Sequence, residues 1–99
     1  MTERDLQQAV VHVARLYGWR VYHTWTSIHS NAGFPDLVLV RDGRLVVVEL
    51  KSDRGVLSPA QDAWLADLRQ TPVEVYVWRP DVLSNGVALR VLRRRDAKE

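Results

Sequence analysis

The stretch from Pro35 to Lys51 constrains this chain more than any other. Two β-rich apolar runs, Leu37 to Val40 and Leu45 to Leu50, flank Asp42-Gly43. That dipeptide readily takes the positive φ angles of a type I′ turn, so the segment is read as an antiparallel hairpin. With a two-residue loop, counting outward pairs Arg41 with Arg44, Val40 with Leu45, Val38 with Val47 and Asp36 with Glu49. Directly opposed residues share a face, with Cβ atoms about 4.5–5.5 Å apart, and like charges placed there repel. Lys51, two residues past Glu49, falls on the same face. The open end of the hairpin is therefore predicted to gather Asp36, Glu49 and Lys51. Either Lys51 alone balances the two acids, or a divalent cation sits between them, as Mg2+ does when held by one or two carboxylates with waters and a substrate phosphate. A bulge between Asp36 and Arg41 would break the register.

At 99 residues the chain is the size of one domain. With 46% hydrophobic and 26% charged residues it has the composition of a globular protein. The absence of cysteine excludes disulfides, cysteine-ligated zinc and cysteine nucleophiles together. No apolar run approaches the ~18 residues of a membrane span. The N-terminus also lacks a signal-peptide pattern, so a cytoplasmic protein without membrane contact is expected. Net charge is only +2, yet twelve of the fourteen basic residues are arginine, which suits bidentate phosphate contacts. Any nucleic-acid surface must then be a patch.

Thr2 is placed to cap a helix running to about Tyr17, with Leu6, Val10, Val13 and Tyr17 as its apolar stripe and Ala9, Ala14 and Leu16 beside it. Glu3 lies in line with that stripe; it either complements the positive helix N-terminus or points toward a site. Trp19 to Trp25 reads as a strand, followed by a polar loop that ends at Asp36. Ser58-Pro59-Ala60-Gln61 has the form of a capping box with proline at the first helical position, opening a helix to about Gln70. Val73 to Trp78 is a fourth strand. The segment from Asp81 to Leu92 is ambiguous, with helix favoured over strand, and residues 93–99 form a basic tail expected to be flexible. The order α-β-β-β-α-β, plus a short C-terminal element, predicts an α/β fold with a mixed sheet of about four strands flanked by helices, one domain spanning residues 1–92.

Pro35-Asp36, twelve intervening residues, then Glu49-Leu50-Lys51 has the form Pro-Asp…Glu-x-Lys that names the PD-(D/E)xK nuclease superfamily. The neighbouring stretches Asn31-Ala32-Gly33-Phe34-Pro35-Asp36-Leu37, Gly55-Val56-Leu57-Ser58-Pro59-Ala60-Gln61 with Trp64 and Leu65, and Val75-Tyr76-Val77-Trp78-Arg79-Pro80 resemble a VRR-NUC domain. The N-terminal Thr2-Glu3 helix and Gly18 to Thr24 are similar as well. The resemblance extends to about Leu92 and is strongest to the stand-alone phage and bacterial members. It implies a restriction-endonuclease-like fold and a Mg2+- or Mn2+-dependent endonuclease acting on DNA, with branched DNA such as Holliday junctions as its substrate. In that reading Asp36, Glu49, the Leu50 carbonyl and Glu3 hold the metal, Lys51 positions or activates the attacking water, and Gln61 supports the site.

Further expectations attach to this reading. His29, Ser30 and Asn31, before the acidic face, and Arg54, after it, are expected to contact nucleic acid. His12, His23 and His29 share no ligand spacing, and an oxygen-rich site favours Mg2+ or Mn2+ over zinc. Symmetrical cutting of a junction requires two sites, hence a homodimer with twofold symmetry. No small-molecule cofactor is expected. The alternatives are a nuclease with flap, single-strand or sequence preference, and a non-catalytic nucleic-acid-binding module.

Overall fold

The computed structural model describes residues 1–24 and 32–96. The chain runs α1 (Glu3–Leu16), β1 (Arg20–His23), β2 (Leu37–Arg41), β3 (Arg44–Leu50), α2 (Pro59–Leu68), β4 (Glu74–Trp78), α3 (Asp81–Ser84) and α4 (Val87–Arg93). Its four strands form one sheet in the order β1-β2-β3-β4. The first two pairings are antiparallel and β3 runs parallel to β4, the return made by way of α2. The fold is thus α/β with a mixed four-stranded sheet. No helix among the described residues is long and apolar enough to cross a membrane.

Local chemistry sets the element ends. Asp42 and Gly43 both have positive φ, 50° and 81°, as the type I′ turn requires. Capping boxes open both long helices, Thr2 with Asp5 on α1 and Ser58 with Gln61 on α2. Past Trp78 the chain is helical: Val87 N–H donates to the Asn85 side chain at 2.9 Å, and α4 continues to Arg93.

The apolar stripe of α1 differs in part from the expected one. Leu6, Val10 and Ala14 are buried, whereas Leu16 is 69% exposed and Tyr17 lies beyond the helix end. A spacing of four keeps residues 6, 10 and 14 over the sheet, and the stripe ends there because the chain turns at Gly18 into β1. These side chains pack with Leu37, Leu39, Val46, Val48, Leu50 and Trp78 of the sheet and with Val82, Ala88, Val91 and Leu92 of the C-terminal helices. Leu65 of α2 is buried outside this cluster.

The turn end of the hairpin carries Arg41 facing Arg44. Two like charges there are tolerated because the chain supplies acceptors for both. Arg41 Nη1 donates to the Tyr17 and Leu92 carbonyls at 3.0 and 2.8 Å, and Arg44 Nη1 to the Val91 and Arg94 carbonyls at 3.0 and 2.8 Å. These acceptors include the negative end of α4, which favours cations. Arg44 also forms a two-pronged bond to Glu74, at 2.8 and 2.6 Å. Burial alone would raise the Glu74 carboxyl, yet Arg44 holds it below its usual value. Both guanidiniums stack on Trp19, 4.7 and 4.9 Å from its ring.

Arg94, assigned to the tail from sequence, is engaged in this assembly. Its carbonyl also accepts from Arg41 Nη2, and its own Nη2 donates to the Tyr76 hydroxyl at 3.1 Å. Trp19 Nε1 donates to the Leu92 carbonyl at 2.9 Å and joins the two ends of the fold. Trp19→Phe keeps a six-membered aromatic ring but loses that bond and the buried five-membered ring of the indole, so it should lower stability by about 1–3 kcal/mol. Thermal denaturation should register this as a fall of at least roughly 4–8 °C.

Candidate active site

The β2–β3 ladder runs unbroken from Arg41–Arg44 to Leu37–Val48. The next position outward in that register sets Asp36 opposite Glu49. No bulge intervenes, so the carboxylates meet at the end of the hairpin remote from the turn. Asp36 Oδ2 accepts the Leu50 backbone N–H at 2.8 Å, which turns its side chain across the strand end. Two bonds from the end of β1 fix the backbone beneath it: Thr24 N–H to the Asp36 carbonyl and the Thr24 hydroxyl to the Pro35 carbonyl, both 2.8 Å.

Glu49 is 1% exposed, and among the described residues neither of its carboxylate oxygens has a hydrogen-bond partner. A carboxylate in that position would normally be paired or neutral. Burial is the main force raising its pKa, and the neighbouring Asp36 carboxyl adds to it. Lys51 opposes only in part, leaving the group at about 8. The contrast with the other end of the hairpin is direct. The paired arginines are given carbonyls, Glu74 and an aromatic ring, while of the paired acids Asp36 accepts one backbone N–H and Glu49, among the described residues, has only the partial influence of Lys51.

Lys51 is buried at the same end, and among the described residues it forms no ion pair within 4.0 Å. It is one of two lysines in a chain that otherwise uses arginine. Its backbone N–H is tied to the Trp78 carbonyl at 3.0 Å. The Leu50 carbonyl lies between Glu49 and Lys51 in the chain, at the end of β3. Arg54 is exposed in the turn that follows.

Gln61 and Glu3 stand differently. The Gln61 side-chain oxygen accepts the Ser58 N–H at 2.9 Å, so the capping box occupies that half of its amide. Glu3 is exposed in the first turn of α1. Among the described residues no three acidic or histidine side chains converge as a metal-binding group, so Glu3 is not assembled with the acidic pair. His29, Ser30 and Asn31 lie outside the described residues.

The segment leading into Asp36 is fastened to α2 by contacts that sequence reasoning did not identify. Gly33 has φ +92°, and a Cβ built there would fall 2.5 Å from the Ala60 carbonyl carbon and 2.8 Å from the Gln61 nitrogen. One residue on, the Phe34 ring stands edge-on to Trp64 with centroids 5.1 Å apart. Gly33 thus allows the backbone to touch the start of α2, Phe34 anchors it, and Pro35-Asp36 enters the sheet from a fixed position.

The donor set suits a hard divalent cation: two facing carboxylates, one buried and without a hydrogen-bond partner among the described residues, with a strand-terminal carbonyl and an ammonium able to offset phosphate charge following in the chain. Asp36 and Glu49, with the Leu50 carbonyl that follows in the chain, are the residues that would hold such a cation. Comparison with known proteins agrees in fold. The family model described as "VRR-NUC domain" matches residues 3–81. A solved structure titled "VRR_NUC domain protein" superposes with a TM-score of 0.70 at 18% identity, covering 95% of this chain and 91% of that one. Comparison with curated proteins gives no match.

Proposed function

The chain belongs to the VRR-NUC domain family, and from that premise we propose that it is a divalent-metal-dependent endonuclease that hydrolyses phosphodiester bonds in branched DNA. The observation that carries this reading is the buried Glu49 carboxylate opposite Asp36, without a hydrogen-bond partner among the described residues. It is costly to the fold alone and becomes favourable when a cation binds. The cation, Mg2+ or Mn2+, supplies Lewis-acid stabilisation of charge on the phosphate.

The chain's own residues do the rest. Asp36 and Glu49, with the Leu50 carbonyl, would hold the cation. Lys51 orients a water toward phosphorus and places a fixed positive charge beside the charge that develops as the new phosphorus–oxygen bond forms and the old one breaks. Gln61, through its cap, keeps the start of α2 in place against Gly33. Glu3 joins the site from α1 only if DNA or metal draws it there. Arg54, with His29, Ser30 and Asn31, contacts the DNA backbone, and shape is read in preference to bases. Two protomers related by a twofold axis place two such sites on one junction.

The test presents four-way junctions, flaps, duplex and single strands with Mg2+ or Mn2+ and maps the cuts, using wild type and Lys51→Ala. Paired symmetrical nicks across a junction by the wild type alone are expected. Cleavage confined to flaps or single strands would replace the branched substrate with one of those. Full activity of Lys51→Ala would remove the mechanism.

A further inference from the structure

Arg79 lies just past the end of β4, yet its guanidinium turns to the loop that follows Lys51. One nitrogen, Nη1, donates to the Ser52 carbonyl at 2.6 Å and to the Gly55 carbonyl at 2.7 Å, with the Asp53 carbonyl farther off at 3.5 Å. The Ser52 carbonyl also accepts the Gly55 N–H at 3.1 Å, so Arg79 clamps a turn already closed on itself. That turn adjoins the lysine: a Cβ built on Gly55 would lie 3.3 Å from Lys51 Cδ and 3.1 Å from Ser52 Oγ. The Gly55 backbone is therefore a wall against the Lys51 stem, and Arg79 fixes the wall.

We infer that Arg79 is a positioning residue that sets the Lys51 ammonium in the site by holding the 52–55 turn against its side chain, an inference that rests on the nuclease reading given above. A long, single-bond-jointed lysine needs such a support, because four rotatable bonds otherwise spread its charge over several ångströms. Both short contacts pass through a single nitrogen, so a lysine at position 79 has the chemistry to replace that clamp in part, while methionine of similar length has none.

The experiment measures kcat and KM on whichever DNA the wild type cleaves, with DNA affinity in Ca2+ and thermal stability, for Arg79→Met, Arg79→Lys, Gly55→Ala and Lys51→Ala. Arg79→Met is expected to lower kcat by about 10²-fold, with KM and DNA affinity near wild type, and Arg79→Lys to recover to within about tenfold. Gly55→Ala provides the second route if Arg79→Met does not fold. Its backbone is not in the left-handed region and the side-chain atoms nearest the new methyl are Ser52 Oγ at 3.1 Å and the flexible Lys51 Cδ at 3.3 Å, so stability should hold while kcat falls. Wild-type kcat in both Arg79→Met and Gly55→Ala, with Lys51→Ala inactive, overturns the positioning role and leaves the nuclease reading standing. A loss confined to KM overturns it in favour of DNA contact by Arg79. Activity in Lys51→Ala overturns the nuclease mechanism itself.

Discussion

Glu49→Gln is expected to abolish cleavage, by roughly 10³-fold or more, while making the metal-free protein more stable at alkaline pH. The buried carboxylate has no hydrogen-bond partner among the described residues and faces Asp36. Above about pH 8, where Glu49 is ionised, a neutral amide of the same shape removes the repulsion and lets Asp36 accept a hydrogen bond, a gain of about 1–2 kcal/mol. The pH dependence follows from the same group. Glu49 rises from an ordinary 4.5 to about 8 on folding, so between those values the folded chain binds more protons than the unfolded one. Stability in EDTA should fall as pH rises from about 4.5 to about 8 and level off above. The glutamine variant should lose that component of the slope. A divalent cation, which favours the ionised form, should restore wild-type stability at the alkaline end. Urea denaturation from pH 5 to 9, with and without Mg2+, checks all three statements.

Gly33→Ala is the second large effect, about 3–5 kcal/mol of stability. A left-handed φ penalises any L side chain, and here the added methyl also meets the backbone of Ala60, which cannot swing aside as a side-chain end would. For a domain of this length the fall in melting temperature is roughly 15–30 °C. Gly43→Ala is the control: φ is +81° but nothing lies within 4 Å of the new methyl. It should therefore cost about 1 kcal/mol. Equal losses in the two variants would mean that the close approach of the Asp36 segment to α2 is not rigid.

The hairpin was legible because everything that sets it is local: a turn dipeptide, a period of two, and a count outward from Gly43. The same holds for the two capping boxes, where residues three apart determine the helix start. What could not be read depends on partners far along the chain. Nothing near Arg41 and Arg44 announces that the carbonyls of Val91 and Leu92 will receive them. Nothing near Arg79 says that it reaches back to Ser52 and Gly55. Gly33 had a signal, a glycine beside an aromatic and a proline, but what it approaches is an α2 residue that only tertiary structure brings near. Glu3 shows the limit of helical periodicity: its position in line with the α1 stripe fixes its direction about the axis but not its reach to the acidic pair.

The unbroken ladder between Arg41–Arg44 and Leu37–Val48 also governs which insertions and deletions this protein can survive. With a two-residue turn, one residue added to each strand beside the turn lengthens the hairpin and leaves Asp36 facing Glu49. A single residue added to one strand slides the acids out of opposition or forces a bulge between them. The twelve residues that separate Asp36 from Glu49 are thus a number that can drift by two but not by one. Length variation that preserves activity should be confined to even steps in this segment.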